Sequence, residues 1–270
     1  MAKRKNNLEK TNHKLSILTS QGGFSFLVHS ADEILKLKHQ SCKAKSPEDQ
    51  IENIKKVIDD EFIINHQIDQ AQLIFDNALF TNVPDTYFDK DQAPHYLKYN
   101  TELLTGDFID YDEITRQNLK LVYIPIMNIY TYLADKIGNV GYQHQMSAFL
   151  KCIHPDQTKK ESIFINLYFD SCYIIAYYEG GCHLANRFEV QNDEDAAYYL
   201  FTVIDQLKFD RENLQLMLSG FINKEDQVYK YFYDYIRNIK FYQLSFPTDH
   251  FLHNAISHKE TNIACHYHLE

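Results

Sequence analysis

The stretch FINLYFDSCYIIAYYEGGCHLANRFEV, residues 164–190, reads as three consecutive strands, and KLSILTSQGGFSFLVHSADEILKLK, residues 14–38, reads the same way. A chain that carries one three-strand ribbon twice is constrained to build two similar halves. In the first ribbon Leu15 and Ile17 flank Ser16, and Phe24, Phe26 and Val28 alternate with Ser25 and His29. That period of two marks half-buried strands over 14–20, 23–29 and 32–38. Gln21-Gly22-Gly23 supplies a tight turn, because glycine accepts positive φ without strain. The second ribbon is predicted over 162–169, 172–179 and 182–188, turning at Asp170-Ser171 and at Glu179-Gly180-Gly181.

Each ribbon is followed by helical and strand patterns. Ser46-Pro47-Glu48 opens a helix, with Ser46 as N-cap and Pro47 in the first turn. Ile51, Ile54, Val57, Ile58 and Phe62 recur on one face. QLIFDNALFTNVP reads as one or two strands, GDFIDYDE and LKLVYIP as strands, and IMNIYTYLADKIG and HQMSAFLKCI as helices. After the second ribbon a helix runs from Asp193 to Leu207, its acidic first turn matched to the helix dipole. LQLMLSG is a buried strand, Lys224 to Ile236 a helix, and FYQLSF a last strand. Both halves thus read β-β-β-α-β-α: an antiparallel meander extended by crossovers into a mixed sheet covered by helices. The polar run HPDQTKKE, residues 154–161, marks the boundary, giving lobes of 12–155 and 156–268.

Composition narrows the partners. A formal net charge of -10 argues against nucleic acid, since phosphate binding needs a concentrated basic surface. The one basic run, Lys3 to Lys5, reads as a solvated tail. Five cysteines without paired spacing do not suggest a disulfide framework. With no signal peptide pattern, they suggest a reducing cytoplasm. No apolar run approaches the ~20 residues that span a bilayer.

The doubled unit resembles the actin, Hsp70 and sugar-kinase superfamily, in which two ribonuclease-H-like lobes face one another across a nucleotide cleft. LSILTSQGGFSFLV, TNVPDTYFD, YLKYN, NRFEVQNDEDAAYYLFTVIDQL and LQLMLSGFI further resemble a bacterial domain-of-unknown-function family, number 3822. That resemblance covers nearly the whole chain. It implies an α/β protein of duplicated ribonuclease-H-like lobes with actin-like ATPase architecture, and no particular activity.

Actin-like ATPases hold phosphates in two hairpin turns, each with an Asp for magnesium and Gly for close backbone approach. Here the first strand offers Ser16, Thr19 and Ser20 but no Asp, while Gly22 and Gly23 are kept. The second hairpin has Asn166 where the Asp belongs, and Tyr168 and Phe169 where the glycines belong. Asp170 could serve a metal, although an Asp in a tight turn is commonplace. The adenosine turn keeps Ser219 and a single Gly220. Neither a Walker-type G-x-x-x-x-G-K-[ST] nor G-x-G-x-x-G is present. These residues point to weak or absent ATP hydrolysis.

His250, His253, His258, Cys265, His266 and His268 make a zinc-like C-terminal composition without a tetrahedral frame, and read as a flexible tail. Cys182 and His183 are adjacent on a strand and face opposite ways, and Cys172 reads as a small packed residue. The carboxylates of Asp59-Asp60-Glu61 and Asp193 to Asp195 read as solvated helix surface. The tyrosine-rich run Tyr229 to Tyr235 puts aromatics on all sides of a helix, so part of it faces a partner or the other lobe. The expected protein is therefore a non-catalytic actin-like fold that binds a protein partner or a second copy. The competing expectation is a diverged nucleotide switch, holding ATP and magnesium around Gly22, Gly23, Asp170, Ser219 and Gly220.

Overall fold

The computed structural model describes residues 13–44, 46–59, 68–154, 159–247, 249–253 and 255–269. The first meander is β1 (His13–Thr19), β2 (Gly23–His29) and β3 (Ile34–Ser41). Helix α1 (Pro47–Ile58) follows, and β4 (Ile68–Phe75) returns parallel to β1. An insertion made of β5 (Phe80–Pro84), α2 (Ala93–Leu97), β6 (Asp110–Ile114) and β7 (Leu119–Tyr123) forms a small antiparallel sheet ordered β5-β7-β6. Then α3 (Met127–Ile137) leads to β8 (Val140–His144), parallel to β4, and α4 (Gln145–Cys152) leaves the sheet. This sheet is ordered β3-β2-β1-β4-β8.

The second meander is β9 (Glu161–Tyr168), β10 (Ser171–Tyr178) and β11 (Gly181–Glu189). It is followed by α5 (Asp193–Leu207), β12 (Gln215–Gly220), α6 (Gln227–Tyr235) and β13 (Asn238–Phe241). The order β11-β10-β9-β12-β13 repeats that of the first sheet. The short helix α7 (Thr261–Ala264) and a 3-10 segment over Cys265–Leu269 close the chain. The doubled ribbon expected from the sequence is thus present in both halves.

Several details differ from the sequence reading. The five-residue strand β8 was not expected, because VGYQH is short, contains Gly141 and offers only Val140 and Tyr142 in alternation. The last strand is NIKF, ahead of the FYQLSF expected. Strand β2 is buried on both faces along its whole length, not half-buried. Ser16 and Ser25 occupy its polar phase and that of β1, yet they face packed protein. The lobe boundary drawn at 155/156, Phe62, and the acids Asp60 and Glu61 lie outside the described residues.

One core joins the two sheets. Leu15, Ile17 and Phe26 from the first pack in the same cluster as Phe164, Tyr173 and Met217 from the second, with Leu252, Ile263 and Tyr267 from the C-terminal segment. A second core lies on the other face of the second sheet, under α5 and α6. Burial of these side chains is the main drive for closing the sheets on each other, at about 25 cal/mol per Å² of apolar surface.

Candidate functional site

The two meander turns meet between the sheets. Ser20 fixes the first turn: its N–H donates to the Gly23 carbonyl at 2.9 Å, and its hydroxyl accepts from the Gly23 N–H at 3.1 Å. Cys42 N–H donates to the Gly22 carbonyl at 3.0 Å, so both glycines are bonded within their own lobe. The second turn carries Phe169 with φ of 49°, left-handed for a non-glycine residue. Its ring fills the space beside the glycines. A Cβ on Gly23 would lie 2.4 Å from Phe169 Cε2, and one on Gly22 would lie 2.6 Å from the Asp170 carboxyl. Tyr168, Phe169 and Phe221 form a ring cluster with centroids 4.5–5.2 Å apart, seated on Leu18 and Ile74. Tyr168 also reaches across to β2, its hydroxyl 2.5 Å from Ser25 Oγ. Gly22, Gly23 and Asp170 therefore lie together at the contact of the two turns. The phosphate space between them holds the Phe169 and Asp170 side chains, and the Gly23 N–H is already committed. A magnesium-bound triphosphate does not fit these residues as they stand.

Beside this contact lies a buried polar network that sequence reasoning missed. Asp76 directly follows β4, and its Oδ1 accepts from Arg187 Nε at 2.5 Å and from Tyr173 OH at 2.7 Å. Its Oδ2 accepts from Ser171 Oγ at 2.8 Å. Among the described residues, the side-chain donors to this carboxylate at the end of β4 all come from β10 and β11 of the second sheet. Burial alone would lower the Arg187 pKa, but Asp76 and Tyr173 outweigh it and hold the guanidinium above its ordinary value. The Asp170 carboxyl is pushed upward, first by burial and then by the charge of Asp76. Only a polar residue after an apolar strand hinted at Asp76, and Arg187 lies far from it in sequence.

Ser219 and Gly220 end β12 and serve the C-terminal segment. Ser219 Oγ donates to the His258 carbonyl at 3.0 Å and accepts from Asn166 Nδ2 at 3.0 Å. Gly220 has φ of 84°, and an added Cβ would meet the Leu167 carbonyl oxygen at 2.0 Å. That close approach and the positive φ together account for the glycine. A cavity of about 780 Å³ adjoins the turn contact, lined by Gln21, Gly22, Ser41, Lys43, Phe169 and Asp170 among others.

The C-terminal cluster is not a flexible tail. His266 is 5% exposed, and Cys265 is fully buried in a disulfide with Cys152, their Cα atoms 5.8 Å apart. His253 Nδ1 pairs with the Phe246 carbonyl at 3.0 Å, and His258 Nε2 with the Ile222 carbonyl at 2.8 Å. Among the described residues no three His, Cys, Asp or Glu side chains converge as metal ligands. Burial pushes the thiols of Cys172 and Cys182 upward, the latter to about 12, so neither is an activated nucleophile.

The chain matches the family model described as protein of unknown function (DUF3822) over residues 2–239. It belongs to that family. Its structure is similar to that of a Bacteroides thetaiotaomicron protein with actin-like ATPase fold and unknown function, with a TM-score of 0.73 and 20% identity over 86% of this chain and 91% of the other. It is also similar to the PilM-PilN type IV pilus biogenesis complex, with a TM-score of 0.61 and 8% identity over 93% and 96%. The ethanolamine utilization protein EutJ from Carboxydothermus hydrogenoformans gives a TM-score of 0.50 at 10% identity, over 94% and 89%. No curated protein matches the sequence. The fold is therefore that of the actin-like ATPases. Among the described residues no helix is long and apolar enough to cross a membrane.

Proposed function

We propose that this protein is a non-catalytic member of the actin-like fold, acting through a protein partner or through self-association. The observation that carries the reading is the Phe169 ring against Gly23, which occupies the place where the two turns of a working ATPase would grip phosphate. Exposed aromatics on one side of the second lobe support it. Tyr198 on α5 and Tyr233 and Tyr235 on α6 are 66%, 62% and 56% exposed, and Tyr235 packs edge-on to Phe201 of α5. Tyrosines of this kind anchor interfaces, since a large rigid ring loses little entropy on binding. The similar PilM structure, solved as a complex with PilN, accords with a fold used as a docking platform. β3 and β11, each at one end of its sheet, offer edges for pairing with a second copy. The net charge of -10 disfavours nucleic acid as the partner. A cytoplasmic setting is part of this reading.

The experiment is calorimetric titration with ATP and magnesium, alongside sedimentation velocity over a concentration series. No heat at millimolar ATP together with concentration-dependent assembly supports the reading. Magnesium-dependent ATP binding overturns it in favour of a diverged nucleotide switch. The cavity beside Gly22, with Lys43 on its wall, is the observation that favours that second reading.

A further inference from the structure

The C-terminal segment lies in the groove between the two sheets. Ser257 opens it with a capping box, its hydroxyl accepting from the Lys259 N–H and Glu260 returning to the Ser257 backbone. From Thr261 to Tyr267 every residue is buried. The segment is held from both sides. Asn262 Oδ1 accepts from Asn166 Nδ2 of β9 at 2.6 Å, and the His258 carbonyl accepts from Ser219 of β12. On the other side His266 Nε2 and Tyr267 OH meet Ser16 Oγ of β1, at 2.9 and 2.7 Å. Cys265 is bonded to Cys152, the last residue of α4.

The polar fit is incomplete. Asn166 Oδ1 and Asn262 Nδ2 are both buried without a hydrogen-bond partner among the described residues. Buried groups left unpaired weaken an interface, because they gave up water on docking. The covalent link therefore bears on whether the segment stays seated.

We propose that the Cys152–Cys265 pair is a redox modification site that latches the C-terminal segment into the groove between the sheets. The co-reactant is a dithiol. One dithiol thiolate attacks a protein sulfur, the S–S bond breaks, and a mixed disulfide forms. The second thiol of the dithiol resolves it. The protein is reduced to two thiols, each taking up a proton, and the dithiol is oxidised to its disulfide. Both protein cysteines are at most 2% exposed, so exchange waits on partial opening of the segment. Release uncovers Ser16, Asn166 and Ser219 along the groove.

The test begins with protein purified without reductant, alkylated and mapped by mass spectrometry. The expected result is one linked pair of peptides, carrying Cys152 and Cys265. Hydrogen exchange is then compared for the oxidised protein, the protein reduced with dithiothreitol, and Cys265→Ser. Amides of 261–267 should exchange at least about tenfold faster in the last two, while those of β10 keep their protection. Free thiols at both positions in the oxidised sample overturn the proposal, as do equal exchange rates. Loss of protection in β10 as well makes the bond a support of the whole fold and overturns a local latch. Should Cys265→Ser fail to fold, the reduced wild-type chain gives the same comparison.

Discussion

Arg187 Nε lies 2.5 Å from Asp76 Oδ1, and this contact ties β11 of the second sheet to the end of β4 in the first. Both side chains are buried, at 7% and 0% exposure. A buried pair costs desolvation to form, but removing one partner leaves an uncompensated charge. Arg187→Met is expected to cost about 3–5 kcal/mol. Urea unfolding measures it, and the double change Asp76→Asn with Arg187→Met should recover part of the loss.

The turn contact makes a second prediction. Gly22→Ala puts a Cβ 2.6 Å from the Asp170 carboxyl, so it should destabilise the fold by about 1–3 kcal/mol. Removing that carboxyl with Asp170→Ala should relieve part of the clash. A double-mutant cycle is expected to show coupling above about 0.5 kcal/mol between the two sites. Additive effects would mean the turns do not touch in solution.

At Gly220 the requirement is steric and conformational together. The φ of 84° and the Leu167 carbonyl oxygen 2.0 Å from an added Cβ make Gly220→Ala costly, at about 3 kcal/mol or more. A milder result in thermal melts would show that the end of β12 can shift.

Acid should unfold the protein earlier than its carboxylates alone would. Burial holds His144 down to about 4, and burial, reinforced by His29, holds His266 down to about 3. Both folded values lie below the unfolded value of about 6.5. The unfolded chain therefore takes up protons first as pH falls. Stability from these neutral rings is complete above about pH 6.5 and declines through the window down to 4, at about 1.4 kcal/mol per pH unit for each group. His144 also caps α4, its Nδ1 accepting from the Met146 N–H at 3.1 Å. His144→Asn keeps a cap acceptor and should flatten the slope between pH 6.5 and 4, measured as urea midpoints.

The exposed tyrosines separate assembly from stability. Alanine at Tyr198, Tyr233 and Tyr235 should each shift stability by no more than about 0.5 kcal/mol, since these rings are mostly in solvent. If the protein assembles through this face, the triple variant is expected to lose the concentration dependence of its sedimentation velocity. Unchanged assembly would move the interface elsewhere, with the edges of β3 and β11 as the next surfaces to change.

The doubled meander was legible because its signals are local. Alternating apolar residues, the Gly22-Gly23 turn and the acidic first turn of α5 each act within a few residues, and each element formed nearly where the pattern put it. Strand β8 was hidden because the two apolar residues Val140 and Tyr142, separated by Gly141, are too short a pattern, and the strand forms by pairing with β4. The aromatic pair Tyr168-Phe169 in the second turn was also visible in the sequence. Tertiary structure decided how those residues are used. It set Phe169 against Gly23, joined Asp76 to Arg187, bonded Cys152 to Cys265, and turned an apparent histidine tail into buried packing. Each of these relationships joins residues distant in sequence. Such pairs are fixed only when the two sheets close over a shared core, so the sequence by itself determined the repeat and the tertiary structure decided what fills the space between its halves.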